Sequence, residues 1–283
     1  MKRVGVIGTG IMGGGMAEQL LRKEYPVVVW NRNVEKTKRL LALGATGAAT
    51  PAELAAQVET ILVVVRDDAA VREVILGAEG ALSGARPGTT IINSSTVTPA
   101  LVREVSAAVE ARACSFIDAP VTGSRAAAAS GKLGFLVSGR PEVIQSQTDI
   151  LNALGQSITV FGTLGHSAVF KLANNQLAAT LVRAMGESLA LCDAAGLSRE
   201  VTVESLVTTA TRVCGLKKDK LIHRDWSTDF ALELMLKDLD QALSTAADMN
   251  VSMPLIAAVR EVYRKAAEGG RGALDFAAVT ELP

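Results

Sequence analysis

The sequence predicts a two-domain protein in which an α/β domain is followed by an all-α domain. Three observations predict this arrangement. The 283 residues make about two domains by the usual length prior. Short β-branched runs alternate with helical patterns in the first half of the chain, and strand patterns stop after about residue 162. We therefore expect the α/β domain at residues 1–162 and the helical domain at residues 163–283.

Seven apolar runs in the first half have the length and composition of buried strands. Near-continuous apolar character is typical of parallel strands that are covered on both faces. Helical patterns between most of the runs indicate βαβ units and a doubly wound parallel sheet. The predicted strands are Val4–Ile7, Val27–Trp30, Ile61–Val65, Thr90–Ile92, Ser115–Ile117, Leu133–Val137 and Ser157–Val160.

Cap residues mark several helix starts in this half. Thr50-Pro51-Ala52-Glu53 has the spacing of a capping box, with proline at the first helical position. Thr98-Pro99 opens a second helix in the same manner, and a third helix is expected to begin near Pro141. These starts place helices between the predicted strands.

The second half carries only helical patterns. The segment from Gly165 to Ala195 contains no proline and predicts one helix of roughly 30 residues, about 45 Å long at 1.5 Å per residue. Amphipathic segments follow from about residue 200 to residue 269, with interruptions at residues 226–229 and at Pro254.

Composition excludes several classes of partner and site. The chain has 29 Lys+Arg and 29 Asp+Glu, so its charge gives no reason to expect nucleic acid or an acidic membrane. Cys114, Cys192 and Cys214 are far apart, which argues against a disulfide scaffold or a zinc site, and no metal is expected. No apolar run reaches membrane-spanning length. Because the first strand begins at Val4, no signal peptide is expected, and the prediction is a soluble, cytoplasmic protein.

A glycine motif directly follows the first predicted strand. Gly8-Thr9-Gly10-Ile11-Met12-Gly13 matches G-x-G-x-x-G and opens a helical pattern, which is the context that dinucleotide binding requires. The first glycine permits the tight turn, the second lets a pyrophosphate approach, and the third allows close helix–sheet packing. Free N–H groups at the helix start favour phosphate. The motif predicts a Rossmann-type domain with Gly8, Gly10, Ile11, Met12 and Gly13 at the cofactor.

The end of the second strand predicts which cofactor binds. An NAD site normally places Asp or Glu there to hold the ribose 2′-hydroxyl, whereas this chain has Asn31 and Arg32. Arginine can bind a 2′-phosphate through charged hydrogen bonds, and a carboxylate would repel it. The predicted cofactor is therefore NADP(H). Val65, at the end of the third predicted strand, is also expected at the cofactor.

Elimination leaves one candidate for the proton donor that a dehydrogenase needs. Lys171 lies one turn into the long predicted helix, and Asn175 shares its helix face at i+4. A lysine ammonium can both protonate a developing alkoxide and stabilise its charge. By spacing alone, a solvated helix lysine is the alternative. The other candidates are two tyrosines without a lysine four residues later and two isolated histidines: Tyr25, Tyr263, His166 and His223.

At four segments the chain resembles the β-hydroxyacid dehydrogenase family, which includes 3-hydroxyisobutyrate dehydrogenase. The resemblance implies a cofactor cleft between an N-terminal Rossmann domain and a C-terminal helical domain. It also implies an NADP-dependent oxidoreductase that acts on CH–OH groups of β-hydroxyacids, or reduces the corresponding aldehydes. The matching segments are Gly8–Gly13, Asp118–Gly123, Lys171–Asn175 and Leu236–Leu239.

The resemblance also implies roles for individual residues. Lys171 corresponds to the general acid/base, and Thr96 and Lys237 correspond to cofactor contacts. The positions that correspond to substrate contacts are Thr122, Gly123, Asn175, Phe230 and Asp238. Thr122 and Gly123 stand where the family binds the substrate carboxylate.

Within the family the chain is most similar to glyoxylate/succinic semialdehyde reductases, at Trp30–Arg32, Thr122–Arg125 and Leu274–Val279. This similarity implies an NADPH-dependent reductase of small carboxylated aldehydes that forms a homodimer or homotetramer. Three alternatives stay open. They are a 3-hydroxyisobutyrate or tartronate semialdehyde type of dehydrogenase, an imine reductase, and a non-catalytic protein with the dehydrogenase fold. Lys171 counts against the last two. Imine reductases usually replace that lysine, and its loss would be expected in a non-catalytic protein.

Overall fold

The computed structural model describes residues 1–281, apart from the side chains at positions 214 and 241. The chain divides into two compact units, Met1–Asn175 and Gln176–Pro283. Within residues 1–281 no helix has the length and apolar character that crossing a membrane requires.

A six-stranded parallel sheet forms the centre of the first unit. Its strands follow the order β3-β2-β1-β4-β5-β6, which is the usual order of a dinucleotide-binding sheet. The bounds are β1 Val4–Ile7, β2 Val27–Trp30, β3 Thr46–Gly47, β4 Thr60–Val63, β5 Thr90–Asn93 and β6 Ser115–Asp118. The predicted fold class is confirmed.

The sheet is buried on both faces, as its apolar strands require. Alternate strand residues point to opposite faces. Val6, Val29 and Leu62 therefore belong to one apolar core, and the neighbouring residues Val28 and Ile61 belong to a second core on the other face. Two cores on one sheet explain why the strands are continuously apolar rather than alternating.

The last two predicted strands lie in a separate three-stranded sheet. Its strands are β7 Val121–Thr122, β8 Leu133–Val137 and β9 Gly155–Val160, with β7 antiparallel and β9 parallel to β8. Pro120 follows the end of β6 and has no N–H to continue the parallel ladder. An isolated antiparallel β-bridge joins Asp118, the last residue of β6, to Ser138, which directly follows β8.

Short helices connect the strands of the first unit. Their predicted starts at Pro51, Pro99 and Pro141 are confirmed, and threonine side chains cap the first two. The bounds are α1 Ile11–Arg22, α2 Lys38–Ala42, α3 Pro51–Ala55, α4 Asp68–Leu76, α5 Ala81–Gly84, α6 Pro99–Glu110, α7 Arg125–Ser130, α8 Pro141–Ser146 and α9 Thr148–Leu154.

Long helices build the second unit. The long helix predicted from Gly165 to Ala195 is observed over 29 residues, and its first turns belong to the first unit. The helices are α10 His166–Ala194, α11 Arg199–His223, α12 Leu232–Asp248 and α13 Pro254–Ala266. Leu232, Tyr263 and Ala266 form the buried centre between α12 and α13. The predicted interruptions at residues 226–229 and at Pro254 are confirmed.

The bounds of β4, β5, β6 and β9 differ from the prediction by one or two residues. At the end of β4 the reason is a side chain that competes for the backbone. The third predicted strand extended to Val65, but β4 ends at Val63. The N–H of Val65 donates to Ser95 Oγ at 3.0 Å rather than to a neighbouring strand. Val65 therefore lies in the loop at the carboxyl edge of the sheet.

Candidate cofactor and catalytic site

The three glycines of the motif are required for different physical reasons. Gly8 has φ +94°, and a Cβ there would lie 2.2 Å from the Val64 carbonyl oxygen. A Cβ at Gly13 would lie 1.9 Å from the Gly8 carbonyl oxygen, so only glycine packs there. A Cβ at Gly10 would meet nothing within 4 Å. Gly10 therefore leaves open space next to the start of α1, which fits the close approach of a cofactor pyrophosphate.

A cleft of about 630 Å³ opens at this loop. It lies at the carboxyl edge of the parallel sheet, where open α/β sheets bind their ligands. Eight of the predicted cofactor residues line it together: Gly8, Gly10, Ile11, Met12, Gly13, Asn31, Arg32 and Val65. The structure thus brings these residues into one cavity, and their contact with a cofactor stays a prediction.

Asn31 holds the glycine loop in place. Its side-chain oxygen accepts the N–H of Thr9 at 3.0 Å, and its amide nitrogen donates to the Asn33 carbonyl at 2.8 Å. Both polar atoms of the Asn31 side chain are therefore used within the protein. Asn31 therefore shapes the loop, and its contact with a cofactor stays a prediction.

Three cations line the cleft, and one of them, Arg66, is paired with Asp67. Arg32 and Lys36 are exposed, and neither forms an ion pair with any residue that the structure describes. Lys36 lies on a 3₁₀ turn, Val34–Thr37, which the Asn33 side chain caps by accepting the N–H of Glu35. Sequence reasoning missed Lys36. The usable signal was its position on the polar segment that directly follows β2 and also carries Arg32.

The loop after β5 lies beside the loop that carries Val65. Ser95 joins the two loops, because its hydroxyl accepts the Val65 N–H. The half-buried Thr96 follows Ser95 directly. In the described part of the chain, Ser94 Oγ is buried without a hydrogen-bond partner. An unsatisfied buried hydroxyl is uncommon in proteins, and it fits a bound group at this edge of the sheet.

The predicted carboxylate site lies on the second sheet. Thr122 ends β7, and its hydroxyl donates to the Gly134 carbonyl at a long distance of 3.3 Å. Gly123 has φ +126°, in the region that favours glycine, and it is exposed. Ser124 then caps α7 by accepting the Ala127 N–H. The weak bond of Thr122 leaves its hydroxyl available for exchange to another acceptor.

Lys171 and Asn175 lie on α10 as predicted, within the first unit. Lys171 is half-buried, and burial lowers the pKa of its ammonium below the ordinary value. No hydrogen bond or ion pair holds its Nζ among the described residues. Asn175 is exposed, one turn further along the helix. Lys171 therefore combines a free ammonium with partial desolvation.

The remaining predicted residues lie in the second unit. Lys237 and Asp238 are exposed neighbours on α12, and their Nζ and Oδ1 atoms are 3.0 Å apart. Phe230 precedes α12 and packs edge-to-face on Phe276, with ring centroids 6.1 Å apart. The glycine-loop cleft and Lys171, by contrast, belong to the first unit.

A buried ion pair fixes the backbone of Phe230. The carboxylate of Asp275 accepts the N–H groups of Asp229 and Phe230 at 3.1 and 3.2 Å. Lys217 Nζ lies 2.8 Å from the same carboxylate and 4.6 Å from the centroid of the Phe276 ring. This cluster was not predicted, because it joins residues far apart in sequence.

Two family models together match nearly the whole chain. The NAD-binding domain of 6-phosphogluconate dehydrogenase matches residues 3–162, and the NAD-binding domain of NADP-dependent 3-hydroxyisobutyrate dehydrogenase matches residues 165–282. The boundary predicted after residue 162 stays a prediction, because the compact units divide after Asn175, inside α10.

Individual relatives and structures are similar over the full chain. A 3-sulfolactaldehyde reductase of Escherichia coli is 34% identical, covering 99% of this chain and 95% of the relative. The cytokine-like nuclear factor N-PAC of Danio rerio is 31% identical over 98% of this chain, which spans 61% of that protein. An imine reductase from Myxococcus stipitatus, solved with NADP⁺, is 25% identical, with a TM-score of 0.88 and 98% of both chains covered.

These findings confirm the resemblance inferred from the four motifs. They also confirm the predicted NADP(H) cofactor and the assignment as an NADP-dependent oxidoreductase acting on CH–OH groups. The site roles predicted for individual residues stay predictions.

Proposed function

Because the chain belongs to the 3-hydroxyisobutyrate dehydrogenase family, we propose that it uses NADPH to reduce small aldehydes that carry an acid group. Glyoxylate and succinic semialdehyde are the proposed substrates, and the products are hydroxyacids. Lys171 supplies the proton.

The observation that carries this proposal is the state of Lys171. A group that transfers a proton near neutral pH works best when its pKa is close to the working pH. Burial moves the pKa of Lys171 in that direction, since desolvation disfavours the ammonium. With no carboxylate paired to it among the described residues, the ammonium is free to meet a substrate oxygen.

The residues of this site act on the substrate oxygen and on its acid group. When bound, NADPH supplies a hydride to the carbonyl carbon of the substrate. The ammonium of Lys171 neutralises the charge that develops on the oxygen and donates the proton that completes the alcohol. The amide of Asn175, on the same helix face, orients that oxygen.

Thr122 and Gly123 are proposed to bind the acid group. The Thr122 hydroxyl exchanges its long bond to Gly134 for a charge-assisted bond to an anion, which is the stronger of the two. A sulfonate, like a carboxylate, presents anionic oxygens that accept hydrogen bonds. The similarity to a 3-sulfolactaldehyde reductase therefore makes that sulfonated aldehyde a further substrate to test.

Arg32 is proposed to select NADPH over NADH, with Lys36 beside it. Both cations line the cleft at the end of β2, where an acidic residue would mark an NAD site. Losing a charge-assisted hydrogen bond to the 2′-phosphate costs roughly 1.5–3 kcal/mol, or about 10- to 150-fold in affinity. Arg32→Asp should weaken NADPH binding by at least that factor, as measured by cofactor titration.

A homodimer or homotetramer is proposed from the surface of the two long helices. Many large apolar side chains on α10 and α11 are exposed within the chain, and such surfaces mark protein interfaces. They include Val169, Leu177, Val182, Val201, Val207, Leu216 and Ile222. Sedimentation velocity of the purified protein should show a dimer or tetramer, and a monomer would contradict the proposal.

A substrate panel tests the proposed reaction. NADPH oxidation is followed with glyoxylate, succinic semialdehyde, methylmalonate semialdehyde, tartronate semialdehyde and 3-sulfolactaldehyde, with butanal as the neutral control and a cyclic imine as the alternative. Acid aldehydes should react well and butanal poorly. Turnover of the imine in preference to every acid aldehyde would favour the imine reductase alternative.

Lys171→Ala is the matching variant. It should lower kcat by about 10²–10⁴-fold, the usual contribution of positioned acid catalysis. Lys132→Ala, at an exposed lysine of the same unit, is the control and should leave kcat unchanged. A Lys171→Ala protein that keeps more than about a tenth of the parent kcat would place the proton donor elsewhere, with His166 next to be tested.

A further inference from the structure

Asp118 is a buried carboxylate to which the proposed reaction assigns no role. It ends β6 with no exposed surface, and no cation pairs with it in the described part of the chain. Its oxygens instead accept hydrogen bonds from neutral donors. Asn93 Nδ2 donates to Oδ1 at 3.0 Å, and Ser167 Oγ donates to Oδ2 at 2.6 Å. The backbone N–H of Ala168 also donates to the carboxylate.

Two of these donors belong to the first turn of α10. The first N–H groups of a helix have no partner within the helix, so an acceptor from elsewhere must satisfy them. Asp118 is that acceptor for Ala168, and the Ser167 hydroxyl adds a second bond from the same turn. Asp118 therefore caps the helix from a neighbouring strand, although 49 residues separate it from Ser167.

A chain of hydroxyls extends this anchor. Ser138 Oγ and Ser167 Oγ lie 2.6 Å apart, and both residues are fully buried. Because the single hydroxyl proton of Ser167 goes to Asp118, the hydroxyl of Ser138 donates to Ser167. The first turn of α10 is thus tied to the ends of both β6 and β8.

Lys171 follows Ser167 by four residues on α10. Residues spaced i, i+4 lie on the same helix face, about 6 Å apart along the axis at 1.5 Å per residue. A rotation or shift of the first turn therefore moves the Lys171 side chain with it. The position of the ammonium depends on how the helix start is held.

The same carboxylate also reaches the loop that follows β5. Asn93 pairs with Asp118 across the two strands, and its Oδ1 accepts the N–H of Ser95 at 3.2 Å. Ser95 precedes Thr96 in that loop. One buried network therefore connects the loop carrying Thr96 with the helix carrying Lys171.

We propose that Asp118 is a positioning residue for the reaction, which holds the first turn of α10 so that the Lys171 ammonium meets the substrate oxygen. The inference rests on the proposed function of Lys171. An amide at position 118 has a single acceptor oxygen, so it cannot receive the bonds from Asn93, Ser167 and Ala168 together. A carboxylate can, because it only accepts.

Asp118→Asn is the first variant of the test. It should lower kcat by about 10²-fold, the loss that a misplacement of about 1 Å produces, while KM and the affinity for NADPH change little. Ser167→Ala removes one of the three bonds and should give a smaller loss, of roughly tenfold. Thr60→Val is the control, because it removes a buried hydrogen bond to Gln147 at the amino end of β4. This control should lower stability and leave kcat unchanged.

Combination with Lys171→Ala separates positioning from general loss of structure. Residues that act as a unit are not additive. In the Lys171→Ala protein, Asp118→Asn should therefore change single-turnover rates by no more than about twofold. A further loss of about 10²-fold in that background would overturn the proposal. If Asp118→Asn does not fold, Ser167→Ala replaces it. Single-turnover rates of Ser167→Ala, alone and combined with Lys171→Ala, then give the same double-mutant comparison.

The single variants distinguish the two proposals. If Lys171→Ala is unimpaired, the proposed role of Lys171 fails and the positioning role fails with it. If Lys171→Ala is impaired and Asp118→Asn stays within about threefold of the parent kcat, far below the expected factor, only the positioning role fails.

Discussion

Asp118 and Asp275 are both fully buried carboxylates, one in each compact unit, but their partners differ. Asp118 accepts hydrogen bonds from neutral groups only. Asp275 accepts backbone N–H groups and is also paired with the Lys217 ammonium at 2.8 Å. Neither side chain is exposed to solvent, but Asp118 lies deeper in the protein. Asp275 has an ammonium partner and three backbone N–H donors, so the two sites differ in depth as well as in partners.

The pKa of each carboxyl shows what that difference does. Burial raises the pKa of Asp118 to about 6, against the hydrogen bonds from Ser167, Asn93 and Ala168, which lower it. Burial also acts to raise the pKa of Asp275, but the bonds from Lys217 and the backbone outweigh it, and the pKa lies below the ordinary value. At Asp118 the neutral donors do not outweigh deep burial, whereas at Asp275 an ammonium and three backbone N–H groups outweigh a shallower burial.

The comparison also separates two uses of a buried acid. Asp275 stays charged and has a structural role. It binds Lys217 of α11, the backbone of Asp229 and Phe230 before α12, and the N–H of Ala277. Asp118 is a carboxylate whose burial costs free energy, and it lies beside the start of the helix that carries Lys171. Perturbed carboxyls of this kind concentrate at functional sites.

Removing the cation should give the largest effect. Lys217→Met leaves the Asp275 charge buried without its partner, and breaking such a pair costs about 3–5 kcal/mol. Urea unfolding measures the loss. Lys218→Met, at the exposed neighbouring lysine, is the control and should be close to neutral. A loss below about 1 kcal/mol, the value of an exposed pair, would mean that solvent reaches Asp275.

The pH dependence of stability should differ in sign between the two carboxyls. The folded pKa of Asp118 lies above its ordinary value, so its contribution is fully present below about pH 4 and is lost as the pH rises through about 6. The change amounts to about 3 kcal/mol, for a shift of about two units at 1.36 kcal/mol each. The folded pKa of Asp275 is lowered, so its contribution is lost only as the pH falls below about 4.

Unfolding free energies of the parent, Asp118→Asn and Asp275→Asn proteins from about pH 3 to pH 8, the range that spans both windows, test this difference. The stability difference between the parent and Asp118→Asn should shrink between about pH 4 and 6. If it is flat across that range, Asp118 does not titrate there.

Glu187 is an intermediate case and should show a smaller effect. It is buried on α10 and accepts the N–H groups of Leu255 and Ile256 at the start of α13, with the half-exposed Arg183 beside it. Glu187→Gln keeps an acceptor but loses the charge at the helix start, which costs about 1 kcal/mol. Urea unfolding of this variant beside Lys217→Met ranks the two sites, and an equal loss would contradict the ranking.

An exposed pair should show the smallest effect. Arg72 and Glu104 form two hydrogen bonds on the surface, at 2.8 and 2.7 Å. Water and salt screen such pairs. Arg72→Met should therefore shift the urea midpoint less than Glu187→Gln does, and the shift should shrink further in high salt.

Local sequence patterns predicted most of the fold. Strands β1, β2 and β8 begin and end at the predicted residues. A continuous β-branched run is stable as a strand when both faces of the sheet are covered. Proline at the first helical position placed the starts of α3, α6 and α8 for an equally local reason, since proline fixes φ and needs no donor there.

Predicted strand boundaries were wrong where a contact from a distant segment competed with the local pattern. β4 ends before Val65 because Ser95, thirty residues away, accepts its N–H. The last predicted strands separate into their own sheet after Pro120. Asn31 lines the cleft and its place at the cofactor stays a prediction, but its bonds to Thr9 and Asn33 could not be read from the sequence.

The sequence by itself determined which chemistry is present: the glycine loop, a cation after the second strand, and a lysine near the start of the long helix. Those features are short-range, and each can be recognised from neighbours within a few residues. Only the tertiary structure decided how Lys171 is held, because the acceptor for its helix start is supplied by Asp118, 49 residues from Ser167. Local periodicity specifies which face of an element is buried, but not which polar groups of distant elements meet there, because that depends on how strands and helices pack in space.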